Sequence, residues 1–179
     1  EILEQGKQLG LDLSAGVYNT VLFKIAGFPG DEALTEVFTK IENLLDGREC
    51  VYYFRRGVEG WAILCLAENE EELKEKLVKL REDIEAIMAV CPDMNYFGAF
   101  GRMVSRLGAL KESMEEAERV FACRYLREWN QIIGISDLIE KVSENKELNL
   151  SSLKVDKLDR KIVEQFLKTA KEQEKTDFF

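Results

Sequence analysis

Apolar residues in this chain fall into short β-forming runs, separated by stretches where they recur at helical spacing. Val17-Tyr18-Asn19-Thr20-Val21-Leu22-Phe23-Lys24-Ile25 is rich in β-formers and predicts a first strand, broken by Gly27, Pro29 and Gly30. From Asp31 the residues Leu34, Val37, Phe38, Ile41, Leu44 and Leu45 trace one face of a helix, which Asp46-Gly47 ends. Cys50 to Leu66 then holds two short apolar runs, Val51 to Phe54 and Trp61 to Leu66, around Arg55-Arg56-Gly57-Val58-Glu59-Gly60. That pattern predicts a β-hairpin whose two runs are central strands of one sheet. Its turn would project one carboxylate, Glu59, and two guanidiniums, Arg55 and Arg56, while Gly57 and Gly60 supply the bend.

After the hairpin, Leu73, Leu77, Leu80, Ile84 and Ile87 step along a helix from about Asn69 to Met88, closed by Pro92. Glu72/Lys76 and Glu75/Lys79 are i,i+4 pairs on its wet side. Asn95 to Gly101 predicts a fourth strand, with small residues where another backbone or a ligand comes close. Ser113 followed by Glu116 reads as a capping box, opening a helix that buries Met114, Ala117, Phe121 and Tyr125. Gln131 to Gly134 predicts a short edge strand.

The fold class is therefore α+β: a ferredoxin-like βαββαβ core, its antiparallel sheet carrying the long helices on one face, plus C-terminal helices. Three segments are expected: an incoming linker helix and turn at 1–16, the domain itself at 17–135, and a helical linker at 136–179. In the last, Asp156 would cap a helix with Leu158, Ile162, Val163, Phe166 and Leu167 on one side. A first residue that is Glu1 and a charged helix running into Phe178-Phe179 are both expected of a piece of a longer protein.

Composition narrows the function. Twenty-five basic against 34 acidic residues give a net charge of −9, which argues against a grip on nucleic-acid phosphates or an anionic membrane surface. The four cysteines, Cys50, Cys65, Cys91 and Cys123, form no C-x-x-C pair, and the chain has no histidine. Zinc sites and histidine-dependent nucleophilic catalysis are thereby excluded, and buried free thiols in a cytoplasmic protein are expected. No apolar run approaches the ~20 residues of a membrane-spanning helix, and no signal peptide is expected.

The order of elements and the hairpin together resemble the GGDEF domains, the diguanylate cyclase relatives of the nucleotide cyclase fold. The family's turn Arg-Tyr-Gly-Gly-Asp-Glu-Phe falls on Arg55-Arg56-Gly57-Val58-Glu59-Gly60-Trp61. Its late helix Ala-Asp-x-Ala-Leu-Tyr-x-Ala-Lys falls on Ala117 to Tyr125, over a resemblance that runs from about Val17 to Gly134. What the resemblance implies for activity lies in the departures. The strand-one motif Asp-x-Asp-x-Phe-Lys falls on Lys24-Ile25-Ala26-Gly27-Phe28-Pro29, so both metal carboxylates and the phosphate lysine are replaced. The second glycine of the turn is Val58, the family's aspartate is Glu59, its catalytic glutamate is Gly60, and the late lysine is Tyr125. The product-binding Arg-x-x-Asp is missing, since Arg48 is followed three residues on by Val51. Making a phosphodiester needs a carboxylate-held divalent ion and an acid at the turn, so no catalytic residue, metal or cofactor is expected.

Leu9 to Ser14, Phe100-Gly101-Arg102-Met103-Val104-Ser105-Arg106-Leu107, Ser113 to Ala117 and Ala122 to Tyr125 are similar to the middle region of certain two-component response regulators. There a receiver domain precedes and an AraC-type helix-turn-helix pair follows a degenerate GGDEF-like domain. The resemblance implies a non-catalytic relay domain whose partners are the receiver and DNA-binding domains of its own chain, and it leaves room for a homodimer. The alternative is a sensor that binds a nucleotide or another small anion in the old cleft without turnover. Arg55, Arg56, Arg102 and Arg106 are the candidate ligand-binding residues, set against the plainer reading of solvated or salt-bridged arginines. Trp61 and Trp129 are read as packing aromatics before ligand platforms.

Overall fold

A strand of eleven residues, Val17–Gly27, runs through the middle of the sheet in the computed structural model. The structure describes residues 2–8, 10–27, 31–125 and 127–137, all within the unit Glu1–Ile139. In chain order the elements are α1 (Ile2–Gln8), β1 (Val17–Gly27), α2 (Asp31–Asp46), β2 (Val51–Arg55), β3 (Trp61–Ala67), α3 (Glu70–Ala89), β4 (Met94–Phe100), α4 (Leu110–Ala122) and β5 (Gln131–Ile133). The stripe expected between Asp156 and Leu167 lies outside the described residues, as does most of the linker expected at 136–179.

The sheet order is β2-β3-β1-β4-β5, with β1 antiparallel to both β3 and β4 and only β5 joined in parallel. Its first four strands have the order of a ferredoxin-like βαββαβ unit, as the sequence predicts. Because side chains alternate across a strand, β1 feeds two cores at once. Val17, Val21, Phe23 and Ile25 face α2 and α3, meeting Val37, Ile41 and Leu45 from one helix and Leu73, Leu77, Leu80 and Ile84 from the other. Leu22 faces the opposite way, toward Ala117, Val120 and Phe121 of α4. The helices of the βαββαβ unit thus share one face, and α4 covers part of the other. Asn69 caps α3, its side chain accepting from the Glu72 N–H at 2.9 Å, and Lys76 pairs with Glu72 at 2.8 Å.

Four expectations are corrected. First, β2 is an edge strand, half-buried to exposed, because among the described residues only its inner edge finds a partner; its tyrosines keep a polar tip, and the Tyr52 hydroxyl donates to the Asp12 carbonyl at 2.8 Å. Second, Ser113 does not open a helix. It lies inside α4, fully buried, and its Oγ accepts the Thr20 N–H of β1 at 2.9 Å. Gly101 allows that approach, since a Cβ there would stand 2.8 Å from the same Oγ. Third, Tyr125 follows α4 in a 3-10 turn and is 75% exposed. Fourth, of the four free cysteines only Cys65 is buried, while Cys50 is exposed and the other two are half-buried. Burial pushes the Cys65 thiol up to about 12, against the weaker pull of Arg48 and Lys76.

Candidate functional site

The hairpin turn is built by its own backbone. Arg55 pairs with Trp61, and the five residues between close through three amides. The Arg56 N–H donates to the Gly60 carbonyl at 2.7 Å, the Glu59 N–H to Arg56 at 3.2 Å, and the Gly60 N–H to Gly57 at 3.3 Å. Gly57 and Gly60 both have positive φ, +60° and +87°, where a side chain is strained. Gly60 is needed twice over. A Cβ there would run into the carbonyl oxygen of Phe23 and stand 2.8 Å from the Cα of Lys24, so the turn is folded back onto β1.

That contact places Glu59 among cations. One carboxylate oxygen lies 3.6 Å from the Lys24 ammonium, and the other accepts a hydrogen bond from Arg124 at 3.1 Å. Arg124 sits in the 3-10 turn Cys123–Tyr125, just after α4, and its side chain is only 9% exposed. It also donates to the Phe121 carbonyl at 3.0 Å and to the Tyr125 hydroxyl at 2.7 Å. Its guanidinium lies 4.3 Å and 4.2 Å from the two ring centroids, so the charge is held between aromatic faces. The turn, β1 and the end of α4 therefore meet at one carboxylate. Sequence reasoning missed Arg124; the available signal was a cation flanked by Phe121 and Tyr125 directly after an amphipathic helix.

The candidate arginines do not form one site. Arg55 donates its Nε to a carboxylate oxygen of Glu42, in α2, and lies 5.6 Å from the Phe38 ring centroid. The same Glu42 oxygen accepts the Trp61 indole N–H at 3.2 Å. The hydrogen bond from Arg55 holds the Glu42 carboxyl below the usual carboxylate range; burial works against this and Trp61 reinforces it. Arg56 pairs with Glu118 of α4 at 3.3 Å. Arg102 sends Nε and Nη2 to a single oxygen of Glu116, at 3.0 and 2.9 Å, with Glu112 3.7 Å away. Arg102 and Arg106 follow β4 alongside Tyr18 and Thr20, at the end of β1 opposite the hairpin turn. At the strand rise per residue, Tyr18 and Lys24 are separated by roughly 20 Å. Arg106 is exposed and makes no ion pair among the described residues. The two candidate pairs, Arg55 with Arg56 and Arg102 with Arg106, therefore lie at opposite ends of β1.

Beside the turn lies a cavity of about 350 Å³, walled by Ile25, Leu34, Phe38, Val58 and Trp61, with Arg55 at its edge. Phe38 and Trp61 meet edge to face, their centroids 4.8 Å apart. Its walls are largely apolar. The residues here do not fit a divalent ion. Position 24 is a cation, position 26 is alanine, and both oxygens of Glu59 face positive side chains of this chain. Among the described residues, no three His, Cys, Asp or Glu side chains group so as to hold a metal ion. None of the described helices is long and apolar enough to cross a membrane.

The family model for the GGDEF-like domain matches residues 1–123. A search of curated proteins finds no match to this chain.

Proposed function

The chain belongs to the GGDEF-like domain family, and from that premise we propose that it is a non-catalytic signal-relay domain of a cytoplasmic two-component transcriptional regulator. A receiver domain precedes it and an AraC-type DNA-binding domain follows it in the complete protein, and its own surface makes no direct nucleic-acid contact. The observation that carries the reading is the salt-bridged turn. Where phosphodiester formation needs a divalent ion facing an acid, Lys24 and Arg124 face Glu59 with fixed positive charge. A lysine ammonium and a buried guanidinium neutralise a carboxylate, but they offer no open coordination position to a substrate phosphate.

A relay needs an element whose position two neighbours can bias. The turn supplies one, since it joins β1, the sheet edge and the end of α4. Dimer contacts in the complete regulator would act on the same frame. The test is direct. The purified chain incubated with GTP and Mg²⁺ or Mn²⁺ is expected to give no cyclic dinucleotide, and detecting that product would overturn the reading. The regulator assignment stands or falls on the complete gene product: a receiver upstream and paired helix-turn-helix motifs downstream are expected.

A further inference from the structure

The cavity beside the turn and the ion pairs behind it are two sides of five residues. We propose that this cavity binds a small, uncharged apolar molecule, and that the turn passes its occupancy to the end of α4 through Glu59 and Arg124.

The ligand class follows from what the walls lack among the described residues. About 350 Å³ lies within the usual range of small-molecule sites, and the lining is aliphatic and aromatic. Three of the turn's five amides, those of Arg56, Glu59 and Gly60, are spent on bonds inside the turn. The Trp61 indole N–H is spent on Glu42, and the Arg55 guanidinium is neutralised by the same carboxylate. A phosphate entering here would compete with Glu42 in a chain of net charge −9. An apolar molecule meets no such competition, and it covers surface that water now touches. Val58 makes this plain: it lines the cavity yet is 86% exposed, an apolar wall without packing on its outer side.

Transmission follows from geometry. Gly57, Val58 and Gly60 touch the cavity, while Glu59 between them holds Arg124. Gly60 is wedged against β1, so the turn cannot slide as a whole, and a displacement of Val58 is taken up by rotation at the neighbouring residue. Arg124 carries that change into the stretch where α4 ends and the chain leaves for β5.

The experiment uses the full chain labelled with ¹⁵N and titrated with indole as the neutral probe and GTP as the anionic one. Indole is expected to shift the amides of Ile25, Phe38 and Trp61 saturably and to slow hydrogen exchange at 121–125; GTP is expected to do neither. Val58→Asp, a surface change at the cavity mouth, should weaken indole about tenfold or more, and Leu34→Trp should fill the space. Glu59→Gln should bind indole as before but lose the response at 121–125. Shifts that rise linearly without saturation, indole binding unchanged in both cavity variants, or GTP perturbing these amides would overturn the ligand class. An unaltered exchange response in Glu59→Gln would overturn the transmission.

Discussion

The ammonium of Lys24 stands 3.6 Å from the carboxylate of Glu59, a contact between the central strand and the tip of a hairpin. Arg124 holds the other oxygen of that carboxylate at 3.1 Å. The three residues belong to elements that nothing in the local chain connects, and only the folded sheet brings them together. Their exposure differs, and so does what each contributes. Glu59 is 41% exposed and Lys24 21%, whereas Arg124 is nearly enclosed.

The two ends of the Glu59–Arg124 pair should therefore respond differently to mutation. Glu59→Gln removes a screened charge from a half-wet site, which costs about 1 kcal/mol or less. Arg124→Met removes the guanidinium from between Phe121 and Tyr125 and strips a partner from the Phe121 carbonyl, which costs about 1–3 kcal/mol. Urea unfolding followed by circular dichroism reads both. Equal losses would mean that the ion pair, and not the aromatic packing, holds the end of α4.

The two turn glycines separate strain from collision. Both occupy positive φ, but a Cβ at Gly57 meets open space, whereas one at Gly60 strikes β1. Gly57→Ala should cost about 1 kcal/mol, the left-handed penalty alone. Gly60→Ala adds a backbone clash that cannot relax without parting the turn from Phe23 and Lys24. A loss above about 3 kcal/mol is expected, and thermal unfolding with wild-type and Gly57→Ala controls measures it. Near-equal values for the two would show that the turn is not pressed onto β1.

Most of the fold was legible because its elements carry strong periodic signals. The stripes of α2 and α3 are visible residue by residue, and β1 announces itself through its β-formers. The rest depended on partners far away in sequence. Ser113 matched a capping box, yet the group it serves is the Thr20 amide 93 residues earlier. A short apolar run such as Val51 to Phe54 does not say whether one edge or both will be paired, so the edge position of β2 is not legible in it. At the candidate site the turn itself was legible, including the need for Gly57 and Gly60. Arg124 was not, because its charge is spent on a carboxylate 65 residues away and its surroundings exist only once α4 has docked. The arginine candidates were individually visible, but the carboxylate partners of Arg55, Arg56 and Arg102 were set by packing between distant segments.

Glu42 gives the turn a pH dependence with a definite sign. Its carboxyl is held below the ordinary glutamate range by the hydrogen bond from Arg55. The folded state therefore binds this proton more weakly than the unfolded chain does. The contribution is fully present above the ordinary value and is lost as pH falls through the lower, folded one. Glu42→Gln should flatten the acid limb of stability between neutral pH and the acid transition, most visibly when Trp61 fluorescence is the probe. An acid limb as steep as that of the wild type would place the sensitivity elsewhere.

Arg102 offers the sharpest choice between ligand binding and architecture. Its Nε and Nη2 converge on one oxygen of Glu116, a carboxylate whose side chain is 9% exposed on the buried flank of α4, while Arg102 itself is 48% exposed. Removing the arginine leaves that carboxylate enclosed without its partner. A fully buried pair broken this way costs about 3–5 kcal/mol, and the exposure of Arg102 reduces the expectation to about 1–3 kcal/mol for Arg102→Ala. Glu116→Gln keeps an acceptor and removes the charge, so it should cost less. In the double variant most of the Arg102→Ala penalty should vanish, a coupling on the order of 1 kcal/mol in a double-mutant cycle. If Arg102→Ala were instead neutral in stability and the cycle additive, the guanidinium would be free of structural duty, and an anionic ligand beyond β4 would become the better account of that position.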